Sequence, residues 1–372
     1  MLPIRTPMKK KIVYVVGTRP EFIRSAFIIK RLKKDTDVNC MLVHTGQHYN
    51  YNMDGMFFEE LDLPKPDVNL EVGSETHAKQ TAEIMRKFED FLNQFRPGMV
   101  AVFGDTNSTL ATALAAVKMK IPVAHLEAGC REWEMDIPEE INRIVVDHVA
   151  NVLLPVSKQS YRNLIAEKVR GAIIQTGDPL YDVFNFYKKQ TVPSNVASSK
   201  PYILLTLHRD KNIDDIERFK AILSCIDKVS PVKVVYPCHP RAMEQLKKHN
   251  IHLTSYKHIC FIEPVGYQET IRCIRESEFI ITDSGGLQKE AFWSKRPCIV
   301  LRTHTAWVEP VEMGVNFVTG QEIRHIEKVI KTVIKNYLQI KKRFVGLANP
   351  YYKKNALEII VGALKKYAET IS

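Results

Sequence analysis

An α/β fold with two doubly wound, Rossmann-like domains facing each other across a cleft is what this sequence predicts, on three observations. Short, β-branched apolar runs alternate with amphipathic helical stretches along the 372 residues. The alternation forms two series, separated by a Ser-, Lys- and Gln-rich stretch around Pro193 (188–200) that reads as a linker. Polar and glycine residues collect directly after the strands, the place where parallel sheets with right-handed crossovers bind ligands.

The first series opens with a strand at 12–16, then Gly17-Thr18-Arg19-Pro20-Glu21 starts a helix reaching about Arg31. Pro20 suits a first helical turn, where a missing N–H costs nothing. Further strands are predicted at 39–44, 99–103, 123–126, 152–155 and 173–176, with helices at 78–95 and 108–118. The second series has strands at 202–207, 233–236, 258–262, 279–282 and 298–301, with helices at 216–230 and 287–293. This places an N-terminal domain at 1–188, a C-terminal domain at 189–355, and a last helical segment at 356–372 that would cross back to the first domain.

Hydrophobic residues make up 45% and charged residues 26%, enough for two cores. A net charge of +11 favours anionic partners, either nucleic acids or phosphorylated small molecules. The longest basic runs are short (Lys9-Lys10-Lys11 and Lys341-Lys342-Arg343), and zinc-finger, RRM and KH signatures are missing, so nucleic acid is not the expected partner. The seven cysteines, odd in number and without CxxC spacing, read as free buried thiols of a reducing compartment. The scattered histidines imply no metal. No apolar stretch follows residues 1–10 as in a signal peptide, and none reaches membrane-spanning length. A soluble, cytoplasmic protein without membrane insertion is expected.

The polar clusters carry the chemistry. Thr282-Asp283-Ser284-Gly285-Gly286 is a small strand-to-helix turn that lets backbone N–H groups approach a phosphate, although it also reads as a plain N-cap. Glu290, one helical turn on, could accept hydrogen bonds from a ribose. Arg19 ends the first strand, suited to a phosphate or to pairing with Glu21. No GxGxxG dinucleotide fingerprint occurs. Gly104-Asp105-Thr106, His125-Leu126-Glu127-Ala128-Gly129 and Pro138-Glu139-Glu140-Ile141-Asn142-Arg143 supply carboxylates; Asp105 and Glu139 also read as helix-start residues. Glu127 is harder to explain so, because it ends an apolar strand. Three such carboxylates could raise one another's pKa and carry protons. His208-Arg209 and His239 follow strands of the second domain, His208 placed to donate to a pyrophosphate or to serve as a core histidine.

Together with His208-Arg209, Asp283-Ser284-Gly285-Gly286 and Glu290, these motifs occur in an order that resembles the non-hydrolysing UDP-N-acetylglucosamine 2-epimerases, from about Lys11 to Tyr352. The resemblance implies a glycosyltransferase-B-like fold, a homodimer, and a reaction without a dissociable cofactor. UDP would leave by anti elimination as the C2 proton is removed, and re-add through a 2-acetamidoglucal to give UDP-N-acetylmannosamine for surface polysaccharide or glycan synthesis. It implies Asp105, Glu127 and Glu139 as acid/base carboxylates, and His208 and Arg19 steadying the diphosphate. Ser284, Gly285 and Gly286 would lie at the helix N-terminus and Glu290 on the ribose, with Arg24, Arg143, Arg209 and His239 completing the substrate-binding set.

Departures from that family bear on the substrate. Arg24 stands where Lys is common, Asp210 where a second Arg is frequent, and Thr305-Ala306-Trp307-Val308-Glu309 where Thr-Glu-Arg-Pro-Glu is usual. Trp-Val-Glu resembles relatives acting on diacetamido-uronic or 6-deoxy sugar nucleotides, which makes a modified UDP-hexosamine the alternative substrate. Gln47 and His48 resemble part of a substrate-activation site, but its expected Arg is His77, so weak or absent activation is expected. Rival readings are a retaining glycosyltransferase, a hydrolysing epimerase (which tends to have Ala-Asp where Pro20-Glu21 stands), and a non-catalytic UDP-sugar sensor.

Overall fold

The computed structural model describes residues 9–47, 61–190 and 201–368. His48 and most of the 188–200 linker lie outside them. The chain divides into two compact units, 1–183 with 350–372, and 184–349.

In the first unit seven parallel strands, β1 (Lys10–Val16), β2 (Val38–His44), β3 (Val68–Asn69), β4 (Met99–Phe103), β5 (Val123–Leu126), β6 (Val152–Leu154) and β7 (Ala172–Ile173), lie in the order β3-β2-β1-β4-β5-β6-β7. In the second, β8 (Tyr202–Thr206), β9 (Lys233–Pro237), β10 (Ile259–Ile262), β11 (Ile280–Thr282), β12 (Cys298–Val300) and β13 (Asn316–Val318) run β10-β9-β8-β11-β12-β13. Both reverse direction beside their first strand, which is the doubly wound order. The switch points fall between β1 and β4 and between β8 and β11. Two such sheets with flanking helices make the α/β, glycosyltransferase-B-like fold class.

The sequence explains why the strands read clearly. β4 is buried at every position, as expected for a central parallel strand covered on both faces. Between β4 and β5 the helix Asn107–Lys118 lays Ala111, Ala113, Ala115 and Ala116 into the core, side chains small enough to sit close to the sheet. The predicted 173–176 strand pairs as a ladder only at Ala172–Ile173, although Ile174 and Thr176 still donate to Leu153 and Pro155 at 2.9 and 3.0 Å. The short edge strands β3 and β13 were not anticipated. The last helix, Ala356–Tyr367, packs with the first unit: Arg31 meets Glu358 at 3.1 Å, and Lys365 meets Asp35 and Asp37 at 3.0 Å.

Gly129 shows how tightly the turn after β5 is built. Its φ is +77°, and a Cβ there would stand 2.2 Å from the Ser160 carbonyl oxygen, a backbone atom of the helix Lys158–Ala166. Gly129→Ala is therefore expected to cost about 2 kcal/mol or more in stability, seen as a lower urea midpoint.

Candidate functional site

In the first unit the site is built on the turns that follow β1, β4 and β5. Glu21, in the first turn of the helix Arg19–Lys34, points inward and is 3% exposed. Its Oε2 accepts the N–H groups of Gly17 at 2.6 Å and Thr18 at 3.0 Å, and its Oε1 accepts the Thr106 hydroxyl at 2.8 Å. Glu21 is thus a brace between two turns, and the alternative of a surface Arg19–Glu21 pair does not describe it. Gly17 has to be glycine, because a Cβ would meet Ser108 Oγ at 2.0 Å. Ser108 in turn donates to Gln47 Oε1 at 2.6 Å and lies 2.7 Å from Thr45 Oγ1.

Thr106, rather than Asp105, caps the helix Asn107–Lys118, accepting the Thr109 N–H at 3.2 Å. This leaves Asp105 for Arg143, whose Nε donates to its Oδ2 at 2.9 Å. Arg143 also donates to the fully buried Glu140 at 2.8 Å, and Glu140 holds the Glu132 and Trp133 N–H groups, both at 3.0 Å. Glu127 pairs with Arg24, and Gly104 lies beside that pair. Asp105 and Glu127 thus each stand against an arginine. Burial works against the charge of Arg24, but Glu127 and Asp105 raise its pKa above the ordinary guanidinium value. Arg143 is raised by Asp105 and Glu132 against the same penalty. Glu139 stands half-buried in the first turn of the helix Pro138–Val149. Arg19 is half-buried at its helix start.

Below these turns His125 links Asp147, at 2.6 Å from Nδ1, to the Gly104 carbonyl, at 2.7 Å from Nε2. Asp147 also takes Arg131 at 2.7 Å and the Gly129 N–H at 2.9 Å. Burial opposes ionisation of Asp147, but His125 and Arg131 hold its pKa below the usual range.

The second unit repeats the plan with different residues. Asp283, fully buried after β11, accepts the N–H groups of His208 at 3.2 Å and Arg209 at 3.0 Å, and the Asn212 amide at 3.1 Å. His208 Nδ1 lies 3.0 Å from its other oxygen. Burial would raise the Asp283 pKa, but His208 and these donors bring it to about 2. Ser284 is the N-cap of the helix Gly285–Trp293 without a side-chain bond to it, and a Cβ on Gly286 would meet open space. Glu290 is buried in that helix. Exposed His239 caps the helix Pro240–Lys248, its ring 6.1 Å from that of His208.

Sequence reading missed the inward roles of Glu21, Glu140, Asp147 and Asn212. For Glu21 a signal existed, since Thr18-x-x-Glu21 has the spacing of a capping box. For the others, helical or loop position alone gives no direction.

This fold, with anion-suited turns at both switch points, defines the glycosyltransferase-B-like class of α/β proteins, and comparison with known proteins narrows it. Residues 30–365 match the sequence model of a family described as UDP-N-acetylglucosamine 2-epimerase. The UDP-N-acetylglucosamine 2-epimerase of Methanocaldococcus jannaschii is 40% identical, with 95% of this chain and 98% of that protein covered. A crystal structure of that enzyme in complex with UDP-GlcNAc and UDP superposes with a TM-score of 0.86, at 38% identity over 96% of this chain and 99% of that one. The UDP-2,3-diacetamido-2,3-dideoxy-D-glucuronate 2-epimerase of Pseudomonas aeruginosa is 39% identical, with 83% of this chain and 88% of that protein covered. The chain belongs to the UDP-N-acetylglucosamine 2-epimerase family.

The brace predicts a pH signature. Burial pushes the Glu21 carboxyl up from 4.5 to about 7, with Asp105 adding to the rise and the Gly17, Thr106 and Thr18 hydrogen bonds opposing it. A raised carboxyl binds its proton more tightly when folded, so its contribution is full below about pH 4.5 and is lost as pH rises through about 7. The stability of wild type relative to Glu21→Gln should therefore fall across that window. Denaturation midpoints that keep a constant difference from pH 4 to 8 would contradict it.

Proposed function

We propose that this protein catalyses the reversible, non-hydrolytic inversion of C2 in UDP-N-acetylglucosamine, giving UDP-N-acetylmannosamine. The observation that carries the reading is the meeting of Asp105 and Glu127 at neighbouring strand ends, each held by an arginine. A carboxylate takes the C2 proton while the C1–O bond breaks and its electrons leave with UDP, giving the C1–C2 double bond of 2-acetamidoglucal. UDP then returns to C1 and a proton is delivered to the opposite face of C2. Asp105, Glu127 and Glu139 carry protons, and Arg24 and Arg143 set their positions. In the second unit the N–H groups at Ser284–Gly286, with His208, Arg209 and His239, stabilise the departing diphosphate, and Glu290 holds the ribose; for Arg19 a diphosphate role rests on the family resemblance. Preorganised donors of this kind act where charge develops.

The 39% identity to the diacetamido-glucuronate enzyme, with Trp307 in this chain, supports a modified UDP-hexosamine as the second reading. The large apolar side chains exposed between residues 133 and 165 of the first unit, Trp133, Met135, Ile141, Tyr161 and Ile165, support a homodimer. The seven free thiols, six of them buried, fit a cytoplasmic enzyme supplying surface polysaccharide or glycan synthesis.

In deuterated buffer, wild type should convert UDP-GlcNAc to a mixture with UDP-ManNAc carrying deuterium at C2, followed by proton NMR. Exchange only with a diacetamido-uronic or 6-deoxy substrate would select the second reading. Asp105→Asn should lower turnover by about 10²-fold or more while sparing UDP affinity, and survival of turnover would remove Asp105 from the mechanism. His77, where substrate activation would need Arg, instead lies 3.2 Å from Asn107 Oδ1. Saturation with UDP-GlcNAc should accordingly be hyperbolic, and a sigmoidal curve would refute weak activation.

A further inference from the structure

We infer that Glu21 is a positioning residue of the epimerisation: it fastens the turn after β1 to the turn after β4 and so fixes where Asp105 stands. The inference rests on the reading of Asp105 as a proton carrier and adds a residue that none of the reacting groups includes.

A carboxylate that merely capped its own helix would need only the Thr18 N–H. Glu21 does more. One oxygen takes both Gly17 and Thr18, while the other leaves its own turn and accepts the hydroxyl of Thr106, 85 residues on. Each of these three contacts is a donor to Glu21, so the carboxylate joins them without needing a proton of its own. The Thr106 oxygen meanwhile accepts the Thr109 N–H and so sets the first turn of the helix Asn107–Lys118. Thr106 follows Asp105, so one side chain of the first turn sets the backbone beside a proposed proton carrier of the second. At 3% exposure the brace is shielded from water, which would otherwise compete for each donor.

The seam has further contacts beside the brace. Gly17 lies against Ser108 and Thr45, and Ser108 is held by Gln47. These contacts bring the turns close, and the Glu21 carboxylate bridges the Gly17–Thr18 backbone to Thr106. An amide at position 21 can still accept from the two N–H groups through its oxygen. Its NH₂ would then face the Thr106 hydroxyl, whose proton must turn elsewhere, and Asp105 shifts with the cap.

The experiment measures kcat, KM for UDP-GlcNAc, and UDP affinity by calorimetry for wild type, Glu21→Gln, Thr106→Val, Thr106→Ser and the Glu21→Gln/Thr106→Val double variant, with circular dichroism confirming the fold. Glu21→Gln and Thr106→Val should each lower kcat by about tenfold or more, with KM and UDP affinity within about twofold of wild type. Thr106→Ser, which keeps the hydroxyl, should restore kcat, and the double variant should be no worse than the weaker single one. Unchanged kcat in both single variants overturns the inference, as does a loss of UDP affinity in step with kcat, or a Thr106→Ser variant as slow as Thr106→Val. Should Glu21→Gln fail to fold, the Thr106 pair decides the matter by the same criteria. Wild-type rates in these variants beside an inactive Asp105→Asn overturn the positioning role alone. A fully active Asp105→Asn overturns the reading beneath it, and the inference with it.

Discussion

A Rossmann switch point leaves two strand-to-helix turns side by side, each with backbone N–H groups that no strand or helix satisfies. In both units a single buried carboxylate spans that gap. Glu21 starts from the first turn and reaches the second; Asp283 starts from the second turn and reaches back to His208 and Arg209. The two differ in what opposes desolvation. Asp283 has His208 at 3.0 Å and an amide from Asn212, so its pKa falls to about 2. Glu21 has neutral donors alone among its hydrogen-bond partners, and the nearby Asp105 works against it, so its pKa climbs to about 7. The same geometrical task is solved once with a firmly ionised group and once with a group near its titration point.

Charge in the first unit is arranged in alternation, carboxylate against guanidinium, and this decides what the carboxylates are free to do. Buried ion pairs contribute little net stability, because desolvation consumes most of the Coulomb gain. What they do supply is geometry, since a guanidinium fork accepts a carboxylate in few orientations. Arg143 illustrates this by joining Asp105 to Glu140, and through Glu140 to the backbone of Glu132 and Trp133. Deeper still, the two ring nitrogens of His125 lie against Asp147 and the Gly104 carbonyl, so the buried ring ties the helix Pro138–Val149 to the turn after β4. That carbonyl belongs to the residue before Asp105. A buried histidine therefore holds one side of the proposed acid/base turn while Glu21 holds the other.

Much of this was legible in the sequence, and for a definite reason. Parallel strands covered on both faces are almost wholly apolar, so β4 and β5 could be bounded to the residue, and the polar groups that follow them stand at the strand ends. Asp105, Glu127, His208 and Ser284–Gly286 were placed just beyond strands in that way. The edge strands β3 and β13, two and three residues long, have too few side chains to show a period. Orientation was the other blind spot. Glu139 and Glu140 are neighbours in the first turn of one helix, yet Glu140 is fully buried on Arg143 while Glu139 is half-exposed. Helical periodicity places them 100° apart without saying which one faces the core, and both are the same residue type. Thr106 and Asp105 posed the same ambiguity, settled by the cap: threonine took the helix and left aspartate to the arginine.

Glu127 carries the remaining constraint. It ends β5 with φ at +66°, a left-handed conformation that costs a non-glycine residue roughly 1 kcal/mol, and Gly129 two residues on is left-handed as well. A glycine at 127 would relieve the strain, so the side chain must be needed where the turn puts it. Its N–H still bonds to Leu154 at 3.2 Å, which keeps the strand end in register with β6 while the chain reverses. The reversal is what carries the carboxylate to Arg24 and to the side of Gly104, itself left-handed at φ +72°. Had residue 127 continued as a strand, its side chain would have followed the alternation of β5 and pointed into one face of the sheet. Strain at a strand end is retained where the surroundings over-determine it. Here they do so with an arginine on one side and a histidine-bound glycine on the other, and together these fix the Glu127 carboxylate beside the turn that carries Asp105.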